Sequence, residues 1–447
     1  MGGGEGADAA RELIEEHGIH TVECLFPDIW GTPRGKRLPA KHFLKSLDKG
    51  FAIADICQVW DLHSFIIDVP FRPFDTGWPD MAVVADLETL RPASWREGTA
   101  LVVCDTFDER THEPLVVDSR HQLRSAIERV RATGYEPIAA SEIEFHLCND
   151  DWTPFYTGVH CYSLTKGAEV EPVVGDIRHR LDAFGIDVEA CNVEYGPAQI
   201  EVNLAYGPAL QIADNTVIFK YVVKETARQH GLRATFMAKP YREEAGNGLH
   251  IHQSLRDPAT GTNAFAVDDL EDEGLVRSSL LRRWLTGLLA HQLELTAINC
   301  PTINSYKRVE DYSFAPTCVT WGGDNRTVAV RAITGHGEAD RLESRGAAAD
   351  ANPYLVIAGL LHAGADGLTS ELPLPELTAG DAYVDTSSPR LPTNLEEALD
   401  ALAGSAFYRE AFGDLFVDTL LALGRHEVGL FARQVTEWER ERYREFV

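Results

Sequence analysis

The pattern of apolar and polar positions divides the chain into a short β-rich stretch and a longer mixed one. Residues 7–17 place apolar side chains at helical spacing up to Gly18, and residues 21–26 alternate as a strand does. Gly31-Thr32-Pro33-Arg34-Gly35 reads as a turn. Residues 82–87 and 100–104 are further β-rich runs between turns that contain Pro and Gly, which predicts a small sheet-based module at the N-terminus. Residues 106–114 are polar and irregular. Asp118-Ser119 then offers a helix N-cap, because a short side-chain oxygen can accept from the unpaired N–H groups of a first turn, and apolar spacing carries that helix to Gly134. We place the division here, giving residues 1–110 and 111–447. Beyond it, β and α patterns mix without a repeating βαβ period, which predicts an α+β fold around a largely antiparallel sheet. From Leu395 onward the pattern is helical, with 398–403 and 415–423 as apolar clusters.

Within this pattern, the run from Pro137 to Leu147 reads as a buried strand yet contains Glu142 and Glu144. Strand alternation puts both on one face with His146, and Ile143, Phe145 and Leu147 on the other. Taken alone, the pair describes a strand with one wet face. Other segments change that reading. Glu194 and Glu201 bracket a unit bent at Gly196-Pro197. His250, His252 and Ser254 share one face after the approach Gly246-Asn247-Gly248. Arg341, Glu343 and Arg345 alternate cation, anion and cation, either as a surface ion-pair strand or as a carboxylate flanked by two anion-binding arginines. Arg308, Arg326 and Arg331 extend the basic set, so five arginines lie between 308 and 345. That suits a site for several negative charges, such as a nucleoside triphosphate and a carboxylate.

Composition narrows the partners. Asp plus Glu outnumber Lys plus Arg 69 to 41, for a formal charge of -28, which argues against nucleic acid and anionic membranes as partners. The eight cysteines form no C-x-x-C pair, and read as reduced thiols of a cytoplasmic protein. The acidic, Gly-rich start lacks the features of a signal peptide, and no apolar run is long enough to span a membrane. There is no Gly-rich phosphate loop.

The ordered set E-x-E-F (142–145), E-x-x-P-x-Q-x-E (194–201), G-x-G-x-H-x-H-x-S (246–254), N-S-Y-K-R (304–308), N-R-x-x-x-x-R (325–331) and R-x-E-x-R (341–345) resembles the glutamine synthetase family through nearly the whole chain. The resemblance implies a small β-grasp N-terminal domain and a larger catalytic domain around a funnel-shaped site. It further implies a homo-oligomer of stacked rings, a dodecamer, in which a neighbour completes each site. Glu144, Glu194 and Glu201 resemble the ligands of one divalent ion, and Glu142, His250 and Glu343 those of a second. Such oxygen-rich sets suit Mg²⁺ or Mn²⁺. Tyr206, His252, Ser254, Arg331 and Arg341 resemble positions that bind ATP. Gly246, Arg308, Arg326 and Arg345 resemble positions that hold L-glutamate, with Arg308 and Arg326 in the catalytic set and Arg326 nearest the transferred phosphate. The implied reaction is ATP-dependent activation of the γ-carboxylate of glutamate, followed by attack of an amine.

The chain also departs from the family. Phe314 stands where ammonium-using members carry a glutamate that binds and deprotonates ammonium, and the matching N-terminal acid falls near Ala52, with Asp55 close by. Ala245 replaces an asparagine that contacts the substrate, Glu338 replaces a lysine near the phosphates, and Tyr383 lacks the surroundings of the tyrosine modified in regulated members. An aromatic ring is neither a carboxylate nor a base, but it offers apolar area and a cation-attracting face. The expectation is therefore a ligase acting on a small substituted amine, with Phe314 in its substrate site. The alternatives are an ordinary glutamine synthetase, in which Phe314 turns into the core and Asp55 serves ammonium, and a silent sensor or scaffold.

Overall fold

The computed structural model describes residues 3–270 and 274–447, and they form two sheets with helices packed around them. The first sheet holds β1 (Thr21–Pro27), β2 (Pro33–Pro39), β3 (Phe51–Ala54), β4 (Asp80–Ala85), β5 (Arg91–Pro92) and β6 (Thr99–Asp108), in the order β2-β1-β6-β4-β3 with β5 on β6. Helices α1 (Gly3–Glu16) and α2 (Ala40–Phe43) belong to the same stretch. The turn expected at 31–35 is shorter than its sequence suggests. β2 already pairs at Pro33 with Pro27, and Gly35 lies inside the strand, where an added Cβ would stand 1.8 Å from the carbonyl oxygen of Cys24. That glycine serves a close backbone approach rather than a turn. The polar stretch after 106 is likewise partly strand, because β6 runs on to pair Asp108 with Met81.

Asp118 caps α3 (Ser119–Arg131) as expected: one carboxylate oxygen accepts from the backbone N–H of Arg120 at 2.8 Å and of His121 at 3.1 Å. The other accepts from the backbone N–H and hydroxyl of Thr106 at 2.9 and 2.6 Å. One side chain thus joins the end of the first sheet to the start of the following region. Next to it the buried Arg120 guanidinium donates to Asp86 and Asp105 on the sheet side and to Asp214 on α5 (Ala209–Gln229). A buried cation with three carboxylate partners has its desolvation compensated only when both regions are docked.

The second sheet has nine strands: β7 (Glu136–Cys148), β8 (Val188–Val193), β9 (Gln199–Leu204), β10 (Gly207–Pro208), β11 (Arg233–Thr235), β12 (Leu249–Arg256), β13 (Trp321–Gly323), β14 (Val330–Ile333) and β15 (Arg341–Ser344). Its order is β13-β14-β15-β12-β7-β9-β8, with β10 and β11 also on β7, and every pairing but β13 with β14 is antiparallel. β7 is the spine. Ile143, Phe145 and Leu147 are fully buried on its helix-covered face, where Phe145 meets Phe219 of α5 at 6.0 Å between ring centroids. The remaining helices are α4 (Leu164–Phe184), α6 (Ser279–Ala290), α7 (Gln292–Asn299), α8 (Pro353–Thr369), and α9 (Leu395–Ala403), α10 (Ala406–Phe412), α11 (Asp414–Ala432) and α12 (Glu437–Tyr443). Of these, α8 is buried along almost its whole length. No helix among the described residues is long and apolar enough to cross a membrane.

Candidate active site

Antiparallel register sets the acidic and basic side chains abreast on the open face of the second sheet. Glu142 of β7 pairs across with His250 of β12, Glu144 with Glu201 of β9, and His252 with Glu343 of β15. Glu343 in turn lies opposite Arg331 of β14. Residues directly opposite on one face have Cβ atoms about 4.5–5.5 Å apart, so five adjacent strands suffice to assemble the cluster.

On one side, Glu142 lies 3.3 Å from Nδ1 of His250 and 2.9 Å from Nε2 of His252. Glu343, with no exposed side-chain surface, sits 3.4 Å from Nδ1 of His250, accepts from Arg331 at 2.9 Å and forms a short ion pair with Arg345. Although burial opposes ionisation, His250 and His252 hold the Glu142 carboxyl far below the usual carboxylate range. Against the same burial, Arg345 and then the two histidines bring Glu343 down to about 2.

The other side lacks such compensation. Glu144 accepts from the backbone N–H of Gly248 at 2.6 Å and from Gln199 at 3.2 Å. Burial, and then the charges of Glu144, Glu142 and Glu194, push Glu201 up to about 9. Burial and Glu144 also raise Glu194, whose carboxylate accepts from Asn192 and from the backbone N–H of Tyr195. Carboxylates crowded with so little cationic compensation are the electrostatic condition that a bound divalent ion relieves.

Ligand atoms of Glu142, His250 and Glu343 all lie within 4.8 Å of one another, and so do those of Glu144, Glu201 and His250. Ions bonded at about 2.0–2.6 Å to oxygen fit between atoms at such spacing. His250 therefore takes part in both groups, although the sequence assigned it to one. Glu194 joins neither group at that spacing.

Beside the cluster, a cavity of about 580 Å³ is lined by Glu142, Tyr206, His252, Ser254, Glu338 and Arg341, among others, a size that suits a small-molecule ligand. Arg341 donates to Nδ1 of His252 at 3.2 Å. Arg331, expected with these residues, is not in the lining; it is drawn away by Glu343 and Asp324. Glu338 stands at the rim, accepting from the backbone N–H of Asn263 at 2.9 Å.

Toward the opposite side, Gly246 approaches Arg308 so closely that a Cβ would meet the arginine's Cγ at 2.9 Å and the carbonyl oxygen of Ala238 at 2.4 Å. Nη1 of Arg308 and Nε of Arg345 are buried without a hydrogen-bond partner among the described residues, which suits an anionic ligand held between them. Arg326 is exposed, and its charge acts on Glu194.

Phe314 is half exposed, has a φ of 62° and stacks edge-on against Tyr195, with ring centroids 5.5 Å apart. The ring does not enter the core. Asp55 is buried and bonded to Arg72 at 2.5 Å, and Tyr383 is buried with its hydroxyl donating to the carbonyl of Ala315 at 3.1 Å. Sequence reasoning passed over Tyr195 and Gln199. Both sit inside the E-x-x-P-x-Q-x-E segment, whose acids are its conspicuous feature.

Comparison with known proteins places these features in a family. Residues 116–443 match the family described as glutamine synthetase, catalytic domain. A glutamate–isopropylamine ligase from a Pseudomonas species is 38% identical, with 98% of this chain and 97% of that protein covered. A gamma-glutamylethanolamide synthetase of Streptomyces coelicolor is 37% identical, with 98% and 95% covered. The solved structure of a GmaS/ADP complex superposes with a TM-score of 0.86 at 30% identity, over 98% of this chain and 99% of that one. The chain belongs to the glutamine synthetase family.

Proposed function

We propose that this protein is an ATP-dependent ligase that joins the γ-carboxylate of L-glutamate to a small substituted amine through a γ-glutamyl phosphate. The observation that carries the reading is the convergence of Glu142, Glu144, Glu201, His250 and Glu343 into two overlapping ligand groups beside a nucleotide-sized cavity. A scaffold has no use for carboxylates held in mutual repulsion. Relatives named for isopropylamine, ethanolamide, methylamine and putrescine support the amine branch.

In this reading Glu142, His250 and Glu343 hold one Mg²⁺ or Mn²⁺, and Glu144 and Glu201 hold the other, with Glu194 nearby. When bound, such ions neutralise the phosphoryl group in transfer. Tyr206, His252, Ser254 and Arg341 hold ATP, with Arg331 acting through Glu343. Gly246, Arg308 and Arg345 orient glutamate so that its γ-carboxylate faces the terminal phosphate. Arg326, at the open side, stabilises the charge that develops there. The carboxylate displaces ADP, and the amine then displaces phosphate from the acyl phosphate.

Phe314 and Tyr195 form the wall met by the amine. Their rings attract a cation by about 0.5–2 kcal/mol, and bury an alkyl group at about 25 cal/mol per Å². Ammonium gains little from either. The reading includes a cytoplasmic homo-oligomer of stacked rings, a dodecamer, built from units 1–110 and 111–447.

The test measures γ-glutamyl product and phosphate release with ATP, Mg²⁺ and glutamate against ammonium and a panel of alkylamines, amino alcohols and diamines. At least one substituted amine is expected to exceed ammonium in kcat/KM at neutral pH. Ammonium equal to or better than every amine identifies an ordinary glutamine synthetase, and absence of turnover with all of them supports the silent reading.

A further inference from the structure

Gln199 is the one member of the E-x-x-P-x-Q-x-E segment's polar set to which no chemistry has been attached, and it is 1% exposed. Its carbonyl oxygen accepts from the backbone N–H of Gly196 at 2.7 Å, in the turn that carries Glu194. Its amide nitrogen has three acceptors within reach: the carbonyl of Gly246 at 2.9 Å, the side-chain oxygen of Asn247 at 3.0 Å and a carboxylate oxygen of Glu144 at 3.2 Å. An amide nitrogen carries two protons, so three acceptors compete for them.

The competitors fall on two sides of the site. Glu144 is on the metal side, whereas Gly246 belongs to the loop packed on Arg308. That loop has little slack. Asn247 is fully buried, with its backbone N–H on the carbonyl of Ala238 and its side chain on the carbonyl of Met237, both at 2.8 Å.

We infer that Gln199 is a positioning residue that couples cation binding at Glu144 to glutamate binding at the 246–248 loop, through the shared protons of one buried amide. The inference rests on the proposed reading of the acidic cluster and of that loop. Drawing Glu144 toward a cation ends its claim on the amide, and both protons then fix Gly246 and Asn247. Fixing Gly246 against a bound substrate likewise frees Glu144 for the cation. Linkage makes the effect reciprocal, so each ligand raises the affinity for the other by the same factor.

The experiment is calorimetric titration of the full chain with Mn²⁺, with and without saturating L-glutamate and without ATP, so that no turnover is read. In the wild-type protein, glutamate is expected to tighten Mn²⁺ about tenfold, within the usual range for coupled sites. Gln199→Leu should still bind Mn²⁺ but show a factor at least about threefold smaller than the wild type's, the direct bond of Glu144 to the Gly248 N–H carrying the rest. Gln199→Glu keeps the size and the acceptor for Gly196 but cannot donate in its ionised form, and it should lose the same part of the coupling. Cooperative thermal unfolding certifies that each variant is folded. A folded variant that binds Mn²⁺ with the wild-type coupling factor overturns the inference, as does a wild-type protein that binds both ligands independently. A wild-type protein that binds no Mn²⁺ instead overturns the metal reading on which the inference rests.

Discussion

Phe314 holds its half-exposed ring edge-on to Tyr195 from a left-handed backbone position, which costs any side chain other than glycine a similar strain. Phe314→Glu therefore alters the chemistry of the proposed amine wall without adding backbone strain. Its expected result is a selectivity change: the ratio of kcat/KM for the best alkylamine to that for ammonium should fall by at least about tenfold, or about 1.4 kcal/mol. An unchanged ratio removes Phe314 from the amine site. A second prediction concerns Glu343, which has no exposed surface and depends on Arg345 and Arg331. Arg345→Met leaves this carboxylate short of a partner in a buried site, which should cost about 3 kcal/mol in urea unfolding. A loss below about 1 kcal/mol would mean that Arg331 and His250 suffice. At this scale the sequence was most legible where alternation in a strand decides direction, as at Glu142, Glu144, His250 and Glu343. It was least legible for Arg331, because the pull of Asp324 from a neighbouring turn is a tertiary contact. The double membership of His250 depends on cross-strand register, which spacing within one segment does not contain.

Elements were readable where local chemistry fixes them. Asp118 declared the start of α3 because capping is a matter of one side chain and the N–H groups just after it. β2 begins inside a stretch whose sequence reads as turn, because Gly35 answers to the carbonyl of Cys24 on the paired strand. The same Asp118 gives a prediction: Asp118→Ala removes the cap and strands Thr106, so it should destabilise by about 2–3 kcal/mol, above the typical 1 kcal/mol of a cap alone. A loss of 1 kcal/mol or less would show that the Thr106 contacts contribute nothing. A pH effect belongs to α8. Burial, with a smaller effect of Arg129, brings His362 down to about 3, and both its ring nitrogens are buried without a hydrogen-bond partner among the described residues. An unfolded histidine titrates near 6.5, so between pH 6.5 and 3 the unfolded chain binds the extra proton. The stability is complete above that window and falls as pH drops through it, by about 2 kcal/mol at pH 5. His362→Leu should remove that part of the loss between pH 7 and 5. Equal losses in variant and wild type would place the acid sensitivity elsewhere.

For the whole molecule, the remaining question is assembly, which no single chain's pattern contains. Leu62, Ile66, Phe74 and Trp78 are exposed on the segment between β3 and β4, with Phe65 the most open at 68%. Scattered exposed apolar residues are ordinary, but five within one segment, with the rings of Phe74 and Trp78 6.3 Å apart, expose apolar area that water disfavours. The net charge of -28 opposes self-association at long range, so a stable assembly must gain from contacts of short range. Light scattering should therefore find a homo-oligomer at physiological salt, where charge repulsion is screened within about 8 Å. Phe65→Asp should lower its mass, because a carboxylate buried at an interface loses solvation without a partner. Activity should fall with the mass if the segment helps to complete a neighbour's site. A wild-type chain that is monomeric and fully active would exclude the shared site, and a Phe65→Asp assembly of unchanged mass would exclude this segment as the contact.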